Sequence, residues 1–165
     1  MQCAEGAQFR FISADCSSLV RGHRKRMRFL HLNFLPHSAN GALLLLRIWH
    51  GASLLLLHGW GKVTGFSAMS DKFLDPFHIG KTPSLVLAIG GEVVCSLLLV
   101  LGLFTRVAAF GAAATMLTAF WFAHQGRLTG PGNGEMAFLY LGVFVALFIA
   151  GAGKYSIDAK LGAKG

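Results

Sequence analysis

The run SLVLAIGGEVVCSLLLVLGL, residues 84–103, is 20 residues long and carries a single charge, Glu92. About 20 apolar residues at about 1.5 Å rise each cover a hydrocarbon core of about 30 Å, so the run reads as a membrane-spanning helix. A carboxylate near the middle of such a helix costs about 2.5–3.5 kcal/mol on insertion. A partner inside a helix bundle offsets that cost, and the one other charge deep in an apolar run is Arg47. Residues 41–61 hold Arg47, while residues 107–123 and 136–153 hold no charge. No water reaches the bilayer core to satisfy backbone groups, so such runs must be helices packed together. The chain is therefore expected to be all-α, an integral membrane four-helix bundle.

Composition supports the same class. Of the 165 residues, 54% are hydrophobic and 13% are charged, against about 25% charged in soluble domains. The mean hydropathy is +0.57. The net charge of +8 is not a nucleic-acid signal, because five basic residues, Arg21, Arg24, Lys25, Arg26 and Arg28, cluster just before the first helix. That is where the positive-inside rule places them. With four spans, Arg106, Lys154, Lys160 and Lys164 fall on the same side, and Lys62, Lys72, Lys81 and Arg127 fall opposite, diluted by Asp71 and Asp75. Both termini are thus expected in the cytoplasm of a multi-pass protein of the bacterial inner membrane, with the cluster close to anionic headgroups.

Residues 1–33 read as a basic, disordered tail, residues 34–159 as the membrane domain and residues 160–165 as a short C-terminal tail. Met27 is a plausible alternative start. No cleavable signal peptide is expected, since the apolar stretch 29–35 is broken by His31 and Asn33 and stopped by Pro36. The cysteines, Cys3, Cys16 and Cys95, form no C-x-x-C, so intrinsic dithiol chemistry is not expected.

Helical rise places the polar residues by depth. Counting from Gly41, Arg47 lies about 9 Å in, His50 about 13 Å and His58 about 25 Å. With Leu54 and Gly61 they share one helix face. Counting back from Gly102, Glu92 lies about 15 Å in, level with His50 and within reach of Arg47. Two clusters are expected: an inner one of Arg47, His50 and Glu92, and an outer one of His58, Lys62, His124, Asn133 and Glu135. The inner cluster either fixes helix register or serves a proton relay or a quinone headgroup. The outer residues are either solvated or form a binding surface, and Glu135 also suits the positive end of its helix. His58 and His124 lie at one depth on different helices, a geometry open to haem ligation that no other feature supports. No metal site is expected. In the first outer link, Phe66, Met69, Phe73 and Phe77 follow an i, i+3, i+7, i+11 pattern, read as a short amphipathic helix ended near Pro76.

The chain from about Phe34 to Ala159 resembles the DoxX/DoxD-like family of small four-helix membrane proteins. The elements that carry the resemblance come in order. LLLLRIWHG leads into HGWGK, with His58, Gly59 and Lys62, and then to Glu92. GLFTR follows, with Gly102, Leu103, Thr105 and Arg106, then Met116 and His124. NGE, with Asn133, Gly134 and Glu135, precedes GAGKYSID, with Gly151, Gly153, Ser156 and Asp158. The first 33 residues fall outside it.

The resemblance implies several activities. Some relatives are membrane subunits of a thiosulfate:quinone oxidoreductase, others look like anchors for redox partners, and related folds include a maturation protein and a cargo receptor. Fold alone does not choose among them. No flavin or nicotinamide fingerprint is present, so no intrinsic cofactor is expected and quinone is the candidate ligand. The first expectation is a membrane subunit of an oxidoreductase system contacting the quinone pool. The alternatives are a non-enzymatic scaffold or receptor and a small-molecule transporter. Expected partners are the lipid bilayer, soluble or membrane redox proteins and further copies of the chain.

Overall fold

The computed structural model describes residues 38–162. The basic cluster, Met27, Cys3, Cys16 and Lys164 lie outside the described residues. Among the described residues every regular element is helical. Helix α1 spans Ala39–Thr64, and α2 is the single turn Phe66–Met69. Helices α3, Lys81–Leu101, and α4, Thr105–Ala123, follow. Helix α5 is Glu135–Ala150 and α6 is the turn Ile157–Lys160. Helices α1, α3 and α4 are long and apolar enough to cross a membrane, and α5 is a shorter apolar helix of 16 residues.

Each long span contains one π turn: Leu55–Gly59 in α1, Gly90–Val94 in α3 and Ala119–Ala123 in α4. A π turn bonds i to i+5 and so inserts a residue into the helical register.

Small residues set the packing. Ala108, Ala109, Ala112 and Ala113 of α4 are buried with Tyr140, Phe144 and Leu147 of α5, and with Leu54 and Leu99. Hydrocarbon surrounds the bundle, so close van der Waals fit rather than escape from water holds these helices together.

Helix α3 ends in a Schellman motif. Gly102 is left-handed (φ 70°), its amide donates to Leu99 O at 3.1 Å, and the Leu103 amide donates to Leu98 O at 3.0 Å. Phe104, also left-handed (φ 48°), then turns the chain into α4.

Two polar ties close the ends. At one end, Asp158 accepts the amides of Phe104 and Thr105 at 2.8 and 2.9 Å. There the Asp158 amide donates to Gly102 O at 2.9 Å and the Lys154 amide to Asn40 Oδ1 at 2.8 Å. Ser156 caps α6 by accepting the Ala159 amide at 3.1 Å. The start of α1, the α3–α4 turn and the segment after α5 therefore meet.

At the other end, Asp75 accepts the Ile79 and Gly80 amides at 3.1 and 2.8 Å and the Ser84 hydroxyl at 2.8 Å. These bonds brace the start of α3. The expected amphipathic helix is shorter than its apolar spacing suggests: it ends at Met69 and leaves Phe73 and Phe77 beyond it. Pro76 disfavours helical geometry at Asp75, whose side chain instead gathers the following amides. Phe77 meets Phe122 of α4 with ring centroids 5.9 Å apart.

Candidate functional site

Gly59 sets the geometry of the site. A Cβ there would lie 2.7 Å from Val93 Cγ2 and 2.9 Å from Glu92 O, so only glycine lets α1 and α3 approach this closely. The approach brings the next turn of α1 over Glu92. Lys62 Nζ donates to Glu92 Oε2 at 2.5 Å. Glu92 is 4% exposed, while the Lys62 side chain is 20% exposed. The pair is thus closed on the carboxylate side and reachable on the ammonium side.

The expected Arg47–Glu92 pair does not form. Lys62–Glu92 is the ion pair within 4.0 Å among the described residues. Fully buried Arg47 instead donates from Nη2 to Tyr155 O at 2.6 Å. A Cβ on Gly102 would overlap its guanidinium, so Arg47 is level with the end of α3. Helical rise counted from Gly41 puts Gly41 at that level, so the true register differs by six residues or about 9 Å. Packing explains the difference: Gly51 lies against Ser96 O and Gly59 against Glu92 O, and α1 outreaches α3 by 26 residues to 21.

Arg47 belongs to the polar tie. Burial pushes the Asp158 carboxyl up, but the Thr105 and Phe104 amides and the Arg47 charge outweigh it and hold it below the usual carboxylate range. The residues Gly102, Thr105, Ser156 and Asp158 of the motif are gathered at this one place. Arg106 reaches from it to Ile149 O at 3.5 Å.

His50 is not beside Glu92. Its Nδ1 lies 3.1 Å from Leu46 O, and its ring meets the Tyr140 ring edge-on at 5.9 Å. His58 meets the same ring at 5.9 Å, and Tyr140 Oη donates to Ser53 Oγ at 2.8 Å. A polar seam therefore runs along α1 from His50 past Ser53 to His58, with Lys62 one turn further. Tyr140 and Ser53 escaped the sequence reading. A lone tyrosine within an uncharged apolar run was the available signal.

The outer cluster divides. Lys62 goes to Glu92 and His58 to Tyr140. His124 Nδ1 lies 2.9 Å from Gly132 O. Asn133 donates to Gly130 O at 2.9 Å and accepts the Glu135 amide at 3.2 Å. These residues shape the loop between α4 and α5, and Glu135 itself is exposed in the first turn of α5.

The fold and the ion pair define a small multi-pass helical membrane protein with a charged pair held inside its spans. The DoxX family model matches residues 42–125, just over half of the chain, and the chain belongs to the DoxX family. It is 41% identical over 122 residues to an uncharacterized protein of Haemophilus influenzae, covering 66% of this chain and 83% of that protein. It is 35% identical over 116 residues to the inner membrane protein YqjF of Escherichia coli, covering 67% of this chain and 85% of that protein. No solved structure matches this chain at a significant level. The family, the spans and the inner-membrane relative place the chain in the bacterial inner membrane as a multi-pass protein.

Proposed function

We propose that this protein is a membrane subunit or anchor of an oxidoreductase system that contacts the quinone pool. The observation that carries the reading is the Lys62–Glu92 pair, with its carboxylate buried and its ammonium part-exposed. Ionisable residues inside spans are functional candidates by default. Lys62 offers N–H donors suited to a quinone carbonyl, and Glu92 is a carboxylate able to exchange a proton with it. Reduction of a quinone to a quinol takes two electrons and two protons. A redox protein partner supplies the electrons, and the pair handles protons at the carbonyl oxygen. The seam of His50, Tyr140 and His58 supports the reading by extending polar groups along α1 from the pair.

The test is purification from native membranes into lipid nanodiscs, with quinone extracted and quantified against empty discs. Wild type is expected to carry quinone above the empty-disc level, and E92Q to lose about tenfold of it while staying folded. Equal quinone in wild type and empty discs, or in wild type and folded E92Q, overturns the reading and leaves the pair as a register device of a scaffold.

A further inference from the structure

Where the start of α1, the start of α4 and the segment after α5 meet, they leave a cleft of about 560 Å³. Its lining includes Asn40, Phe104, Arg106, Val107, Lys154 and Asp158. The volume falls in the range of about 300–1,000 Å³ usual for small-molecule sites. Four apolar helices begin or end here, α1 and α4 beginning and α3 and α5 ending, which puts the cleft at the level of the membrane surface.

Its charge is lopsided. The Asp158 carboxylate is occupied by the Phe104 and Thr105 amides and faces the Arg47 charge. The cations at the rim are less engaged. Arg106 makes one long contact, to Ile149 O at 3.5 Å, which leaves most of a guanidinium's five donors. Lys154 Nζ lies 4.9 Å from the centre of the Tyr155 ring.

Phe104 is the second observation. It is 64% exposed and left-handed (φ 48°), a conformation rare for a bulky residue. Its conformation is held by the Asp158 bond to its amide, and its ring stands beside the cleft. Val107, the third residue of α4, is also exposed. Cations with exposed apolar side chains beside them, in one cleft at the surface, match an amphiphile with an anionic head.

We infer that this cleft binds an anionic phospholipid of the adjoining leaflet, with its phosphate between Arg106 and Lys154 and its acyl chains along Phe104 and Val107. The inference stands apart from the quinone reading, since the cleft and the Lys62–Glu92 pair belong to opposite ends of α1. A basic residue near an anionic lipid surface strengthens binding about fivefold, so two do so about thirtyfold.

The test uses the full chain in nanodiscs of phosphatidylcholine with a minor fraction of phosphatidylglycerol, with retained lipid read by native mass spectrometry. Wild type is expected to keep phosphatidylglycerol in preference to phosphatidylcholine. R106A/K154A is expected to lose about thirtyfold of that retention, and K72A/R127A, at the opposite end, none of it. F104G is expected to reduce retention while leaving the protein folded. Should R106A/K154A not fold, R106Q and K154Q, each expected to lose about fivefold, carry the same test. Retention unchanged in the folded charge variants, or equal retention of phosphatidylcholine by wild type, overturns the inference.

Discussion

Asp158 caps α4 from 53 residues away, its Oδ2 accepting the Thr105 amide at 2.9 Å. A cap of this kind is usually supplied by the residue just before the helix. Here that position holds Phe104, which has no side-chain acceptor, so the start of one span depends on a turn beyond the last. D158A is expected to lower stability in detergent by about 2 kcal/mol and D158N by less, because the amide keeps one acceptor oxygen. Thermal unfolding of the two variants beside wild type checks the order. The sign with pH follows from the depressed carboxyl. The contribution is complete above the unfolded aspartate value of about 4 and is lost as pH falls through the lower folded value. The gap between wild type and D158N should therefore narrow in acid below about pH 4.

Removing one member of the Lys62–Glu92 pair leaves a charge without its partner inside the spans. Each of K62M and E92L is expected to cost about 3 kcal/mol, and K62M/E92L to recover most of that loss. A double-mutant cycle on unfolding in mild detergent measures it. Additive single losses would show that the two side chains do not act as a pair.

The approach of α1 to α3 at Gly59 can be separated from the pair it positions. G59A places a methyl 2.7 Å from Val93 Cγ2 and is expected to cost about 1–3 kcal/mol by overpacking. G61A is the control, since a Cβ there meets nothing within 4 Å, and it is expected to be neutral or better. The same unfolding assay compares them.

Tyr140 joins α5 to the seam on α1. Y140F removes the bond to Ser53 and is expected to cost about 1 kcal/mol. Y140A also removes the ring that His50 and His58 both meet and is expected to cost about 3–5 kcal/mol. Equal losses would place the whole contribution in the hydroxyl.

The membrane class and the approximate ends of the spans were legible because they depend on runs of apolar residues. Residues 41–61 became α1 at Ala39–Thr64, and residues 107–123 became α4 at Thr105–Ala123. The partner of Glu92 was not legible, for two physical reasons. Helix register across α1 and α3 is fixed by the contacts at Gly51 and Gly59, which no pattern along one helix reveals. The π turn at Leu55–Gly59 also inserts a residue, so a stripe counted at 3.6 residues per turn arrives at Gly61. In the fold Gly61 is open and Lys62 has taken that face. The roles of Asp75 and Asp158 escaped for a related reason. Asp75 reads as a surface charge and Asp158 only as part of the GAGKYSID element, yet each spends its carboxylate on backbone amides of a helix start.

The bond between the Lys154 amide and Asn40 Oδ1 joins residues 114 apart. It turns a linear chain into something close to a ring, with the beginning and end of the membrane domain side by side. A ring can be opened elsewhere. A permuted gene that links the two ends and begins in the exposed Gly130–Gly132 turn would thread the same helices, yet present both new termini on the opposite face of the membrane.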